Sequence, residues 1–212
     1  MMLLYHAAYD LTLFRVLPEA FVTHPAAKVY CYLGAGGFIL LSGVCVRFSR
    51  DPIRRGVLVF CAGLAVTAVT TVAGYPVAFG VLSLLGCCML LYGAARRWIE
   101  PRLGPVFAAV CLGLFALTWV LTAAIKVDIF FLHPLGMHGA DFYSADYFPL
   151  FPWTFLFLTG TALGKALDAR RGAPLLQRRF APALTFCGRH SLFLYLVHQP
   201  VIYGIFWLIW GR

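Results

Sequence analysis

Seven hydrophobic stretches, separated by short polar connections, run the length of this chain. An apolar run of about 20 residues crosses a ~30 Å hydrocarbon core as a helix. On that measure the runs place spans near 1–17, 30–47, 56–74, 77–95, 104–125, 149–166 and 184–210. The pattern predicts an all-α integral membrane protein, a bundle of about seven transmembrane helices forming a single transmembrane domain over 1–212. Gly74-Tyr75-Pro76 supplies a tight turn between the third and fourth spans. Phe148-Pro149-Leu150-Phe151-Pro152-Trp153 opens the sixth, where proline suits a first helical turn. The longest connection, 126–148, is polar and aromatic and carries Asp128, His133, His138, Asp141 and Asp146. Trp153 with Tyr143 and Tyr147 fits an interfacial aromatic belt. No internal repeat and no low-complexity segment interrupts the pattern.

Composition agrees: 62% of residues are hydrophobic and only 12% are Asp, Glu, Lys or Arg, about half the charged share of a soluble domain. A net charge of +9 on a soluble protein would suggest nucleic acid. Here the basic residues sit in short connections, so they report membrane orientation and no nucleic-acid partner is expected. Arg47, Arg50, Arg54 and Arg55 lie between spans two and three, and Arg96, Arg97 and Arg102 between four and five. Lys165, Arg170, Arg171, Arg178 and Arg179 lie between six and seven, so twelve of the seventeen Lys and Arg share one side. The alternate connections hold only Arg15 and Lys28, then Lys126. Positive charge stays inside, which puts the N-terminus in the cytoplasm and the C-terminus outside. The first run lacks a basic leader and contains Asp10, so it does not read as a cleavable signal. The seven cysteines show no CxxC pair or metal-ligand spacing and read as small apolar packing residues; no metal is expected.

Against this background two histidines stand out, His6 in span one and His198 in span seven. An ionisable group inside hydrocarbon costs several kcal/mol unless it is paired or faces a polar cavity, so each is a functional candidate. His6 and Asp10 are four apart and share a helix face. A carboxylate on one imidazole nitrogen would fix the tautomer and free the other as base or nucleophile; a polar pair that only locks packing is the alternative. Pro18 back to His6 is 12 residues, and Trp210 back to His198 is also 12. Both spans run outward, so at a rise of ~1.5 Å per residue the two histidines sit at one depth, ~18 Å below the outer boundary. His198 beside Pro200 can equally make an interhelical hydrogen bond. Arg189, where span seven enters from the cytosol, can bind the phosphates of a cytosolic substrate or snorkel as an end anchor. On the outer side Asp141, Tyr143, Ser144 and Asp146 can hydrogen-bond a hydroxylated acceptor or cap helices.

Three segments together resemble the bacterial membrane proteins related to heparan-alpha-glucosaminide N-acetyltransferase. They are Met2-Leu3-Leu4-Tyr5-His6-Ala7-Ala8-Tyr9-Asp10-Leu11, Ser144-Ala145-Asp146-Tyr147-Phe148-Pro149-Leu150-Phe151-Pro152-Trp153, and Gly188-Arg189-His190-Ser191-Leu192 with Tyr195-Leu196-Val197-His198-Gln199-Pro200. The resemblance implies transmembrane acyl transfer in a bacterial cytoplasmic membrane. Cytosolic acetyl-CoA, or another acyl-CoA, would be the donor substrate, and a glycan or lipid-linked molecule in contact with membrane lipid the acceptor. It implies His6 as the catalytic residue with Asp10 as its partner and His198 as a further site residue. Arg189, Ser191 and Tyr195, with Asp141, Asp146 and Trp153 on the outer side, are the substrate-binding candidates. Members of this family begin with a basic stretch holding an Asp and an Arg-Gly pair ahead of the histidine. This chain opens inside the helix, so Met1 is expected to be a late start and the natural protein longer by a turn or several.

A small transporter, with His6, Asp10 and His198 as a polar or proton pathway, is the competing reading; repeat symmetry of the kind many transporters show is missing. An accessory membrane subunit whose polar residues are packing glue is the third.

Overall fold

The computed structural model describes residues 2–127, 129–170 and 182–211, leaving aside the side chains of 183 and 184. Arg171, Arg178 and Arg179 of the basic connection, and Asp128 of the 126–148 connection, lie outside the described residues. Among the described residues the regular structure is helical: α1 (Met2–Leu13), α2 (Ala20–Thr23), α3 (Pro25–Arg47), α4 (Pro52–Val72), α5 (Val81–Arg102), α6 (Pro105–Ala124), α7 (Leu150–Asp168), α8 (Pro182–Arg189) and α9 (Ser191–Trp210). Five of these, α3, α4, α6, α7 and α9, are long and apolar enough to cross a membrane. Of the other two expected spans, α1 has only 12 residues, and α5 ends in Arg96, Arg97, Glu100 and Arg102. Proline at the first position starts α3, α4 and α6, where its missing N–H is no loss. Asp51 caps α4 by accepting from the Arg54 N–H at 2.9 Å.

The chain packs as two compact units, Phe38–Leu176 and the two chain ends, Met1–Gly37 with Gln177–Arg212. In the first unit α4 and α5 run antiparallel, because small residues meet in reversed order: Ile53 touches Gly93, Phe60 touches Gly86, and Gly63 touches Ser83. The end of α3 lies parallel to α7, with Leu40 and Gly43 against Gly160 and Val44 against Gly164. Helices in lipid gain little from burying apolar surface against one another, so such close backbone approach carries the association.

At the basic end of this unit Arg47 gathers three helices. Its Nη1 is 2.5 Å from Glu100 Oε2 and its Nη2 is 3.2 Å from Asp168 Oδ2. Tyr92, 1% exposed, donates to Glu100 Oε1, and Lys165 Nζ donates to the Glu100 carbonyl at 3.0 Å. Part of the positive charge that the sequence assigns to orientation is therefore spent on fastening α3, α5 and α7 together.

The opposite end of this unit corrects one expectation, that of Trp153. The 126–148 connection contains a 3-10 turn, Phe130–Leu135, closed by Gly136 at φ 104. It is also tied down: Tyr147 Oη donates to the His133 carbonyl at 2.6 Å, and Phe142 packs between His133, His138 and Tyr147. Trp153 is not a lipid-facing belt residue. It is 4% exposed and packs edge-on against Phe115, Trp119 and Phe148, because α7 turns it toward α6.

In the other unit α1 lies along α9. The contacts climb together, His6 to His198, Asp10 to Gln199 and Phe14 to Tyr203, so the two helices are parallel. The chain turns sharply after α1, with Arg15 at φ 57. The expected last span, 184–210, is broken: α8 stops at Arg189 and α9 starts at Ser191, with His190 at φ −107, ψ 20 between them. Gly188 and a ring at His190, whose Nδ1 bonds back to the Phe186 carbonyl at 3.0 Å, favour that break.

Candidate functional site

Each half of the site begins with a helix carbonyl. His6 Nδ1 lies 3.0 Å from the Met2 carbonyl oxygen, one turn back in α1. His198 Nδ1 lies 2.5 Å from the Tyr195 carbonyl oxygen, one turn back in α9. A carbonyl oxygen only accepts, so in the neutral rings both Nδ1 atoms carry the hydrogen and both Nε2 atoms hold a lone pair. His198 Nε2 then points its lone pair at His6 Nδ1, 3.3 Å away, and the rings meet edge-on with centroids 5.0 Å apart. The His6 Nδ1–H is thus shared between the Met2 carbonyl and His198. What remains is His6 Nε2, a nucleophilic and basic atom whose ring is held from its other side.

Four residues further along α1, Asp10 is 1% exposed. Its carboxylate does not orient His6, as the sequence spacing suggests. It accepts from Gln199 Nε2, at 2.9 Å through Oδ1 and 3.2 Å through Oδ2. Two polar rungs therefore join α1 to α9, His6–His198 and Asp10–Gln199. The shared depth of the two histidines, obtained by counting residues, matches this contact. Gln199 was not among the candidates, although the signal was present: an amide inside an apolar helix must find a partner, since an unpaired one costs several kcal/mol in hydrocarbon.

The remaining candidates divide between the units. Tyr195 stands one turn from His198 with its ring 5.3 Å away, Ser191 opens α9, and Arg189 is an exposed side chain in the last turn of α8. Asp141, Asp146 and Trp153 belong to the other unit. Asp141 is exposed. Asp146 Oδ2 accepts from the Val81 N–H at 3.2 Å at the start of α5, and Ser144 Oγ accepts from Ala78 N at 3.1 Å while donating to the Asp146 carbonyl. Ser144 and Asp146 thus pin the 126–148 connection to the start of α5 and the residues just before it. Burial pushes the Asp146 carboxyl up from 3.8 to about 6, against the pull of the Val81 N–H, and burial raises the Tyr147 hydroxyl to about 12.

On the face of α1 turned away from His6, Leu4, Tyr5 and Ala8 line a cavity of about 740 Å³ with Phe21, Val22 and Tyr30. Its walls are mostly apolar, so it offers little to a hydroxylated molecule.

No curated protein and no solved structure matches this chain. The family model described as heparan-alpha-glucosaminide N-acetyltransferase, catalytic, matches residues 1–200, which takes in both polar rungs. The chain is a multipass membrane protein that belongs to the heparan-alpha-glucosaminide N-acetyltransferase family, a family of membrane acyltransferase type.

Proposed function

We propose that this protein transfers an acetyl or other acyl group from cytosolic acyl-CoA to a glycan or lipid-linked acceptor, with His6 Nε2 as the reacting atom. One observation carries the reading. The hydrogen bonds to the Met2 and Tyr195 carbonyls commit both Nδ1 hydrogens, so His6 presents a lone pair at Nε2. As general base, that atom takes the proton from the acceptor's N–H or O–H as the acceptor attacks the thioester carbonyl carbon. The C–S bond breaks and the proton passes to the leaving thiolate, giving the free CoA thiol. As transient carrier, the same atom attacks the thioester carbonyl carbon, the C–S bond breaks and the CoA thiolate leaves. The acceptor then attacks the acyl carbon, the N–C bond to His6 breaks, and the proton the acceptor sheds balances the thiolate as free CoA thiol. In either route His6 becomes cationic, and its Nδ1–H is held more strongly by the His198 Nε2 lone pair. His198 is accordingly a positioning residue.

Arg189, exposed at the end of α8 and on the side that the basic connections assign to the cytoplasm, suits the phosphates of the donor. Asp141, exposed on the outer connection, suits a hydroxylated acceptor. The bacterial cytoplasmic membrane is the location that goes with this reading, with the N-terminus inside.

The test is release of free CoA from acetyl-CoA by the protein in nanodiscs, with and without membrane glycan and lipid extracts. Extract-dependent release that falls about 10²–10⁴-fold in His6→Ala, at equal membrane content, is expected. A stoichiometric burst of CoA without extract marks the carrier route, and its absence the base route. Release that His6→Ala leaves unchanged, or no release with any acyl donor, overturns the reading.

A further inference from the structure

We infer that Gln199 Oε1 is the atom that receives an N–H or O–H of the acceptor substrate, and that Asp10 serves to aim it; the inference rests on the acyl-transfer reading above. A glutamine amide has two N–H donors and one oxygen acceptor. In Gln199 the nitrogen is committed to both carboxylate oxygens of Asp10, at 2.9 and 3.2 Å. The oxygen is buried and has no hydrogen-bond partner among the described residues. Leaving a buried acceptor unmet is costly, because the group loses its water and gains no partner. The amide cannot escape this by turning over, because Oε1 would then face the Asp10 carboxylate. The orientation is set by Asp10, and the unmet lone pairs by that orientation.

The position of this atom gives it a use. Gln199 follows His198 in α9, and His198 Nε2 is the group that holds the His6 ring. The acceptor substrate must bring an N–H or O–H to His6 Nε2, and amines and sugars carry further N–H or O–H groups beside the reacting one. Gln199 Oε1 is a ready partner for such a second donor. A site with a buried acceptor discriminates strongly against molecules that lack the matching donor, since the acceptor is then left unpaired. Gln199 is thus a specificity-determining residue for the acceptor and has no part in holding the acyl-CoA.

Two double variants separate this role from packing. Asp10→Asn/Gln199→Glu reverses the rung, keeping both the interhelical hydrogen bond and an acceptor oxygen at 199. Asp10→Leu/Gln199→Leu replaces both partners with apolar groups of similar size, an exchange that leaves folding nearly neutral, and removes the oxygen. With extract as acceptor, the leucine pair is expected to lose about a hundredfold in kcat/KM for the acceptor, with the acyl-CoA KM within about threefold of wild type. The reversed pair is expected to stay within about tenfold on both. Equal acceptor kinetics in the two pairs, or a loss falling on the acyl-CoA KM, overturns the inference while leaving the acyl-transfer reading intact. Wild-type protein that releases no CoA overturns both. Should the leucine pair fail to reach the membrane, the reversed pair decides: recovery of acceptor kcat/KM over Gln199→Leu alone is expected, and no recovery overturns the inference.

Discussion

His198 Nε2 stands 3.3 Å from His6 Nδ1, and that hydrogen bond joins two residues 192 positions apart. The carbonyls of Met2 and Tyr195 decide which atom donates, so neither ring depends on a carboxylate for its tautomer.

Removing His198 should therefore act through His6. His198→Ala is expected to lower CoA release roughly 10- to 100-fold, the range found when a group that orients an imidazole is lost. The double variant His6→Ala/His198→Ala should be no worse than His6→Ala alone, because residues that act as a unit are non-additive. Losses that multiply would show His198 acting independently of His6.

Asp146 makes the 126–148 connection pH-sensitive. Its folded value, about 6, lies above the ordinary 3.8, so the fold binds this proton more tightly than the unfolded chain does. The contribution is fully present below 3.8 and is lost as pH rises through about 6. Asp146→Asn keeps an oxygen for the Val81 N–H and removes the titration. Thermal unfolding in nanodiscs should show that variant gaining on wild type between pH 4 and pH 7; parallel curves would place the sensitivity elsewhere.

Arg47 holds Glu100 and Asp168 together across three helix ends. Arg47→Met leaves two half-buried carboxylates facing each other and should destabilise by about 2 kcal/mol, a partial form of the penalty for breaking a buried pair. Arg47→Met/Glu100→Gln/Asp168→Asn should recover most of it, read as the unfolding midpoint. A triple variant as weak as the single would mean that Arg47 stabilises through its stem.

Gly160 sits where α7 meets the backbone of α3, and an added Cβ would collide with the Leu40 carbonyl and lie 3.1 Å from Gly43 Cα. Gly160→Ala should cost about 1–3 kcal/mol through overpacking. Gly113 in α6 has nothing within 4 Å, so Gly113→Ala should be neutral or stabilise by up to about 1 kcal/mol. Thermal midpoints of the two variants, measured side by side, check the contrast.

The hydrophobic pattern alone determined that this chain is helical and membrane-embedded, because lipid forces every backbone polar group of a span to be satisfied within it. Five expected spans are helices able to cross a membrane, and the common depth of His6 and His198 followed from a fixed rise per residue. The break at His190, the short α1 and the inward turn of Trp153 did not follow, since each depends on local backbone geometry or on the neighbour a side chain meets. The site shows the same division. Spacing placed His6 and Asp10 on one face of a helix, but a shared face fixes only direction. Which group each one meets was decided by α9, whose rotation and height bring His198 to one and Gln199 to the other. Tertiary packing therefore chose the partners, and with them the tautomer of His6 and the unmet oxygen of Gln199.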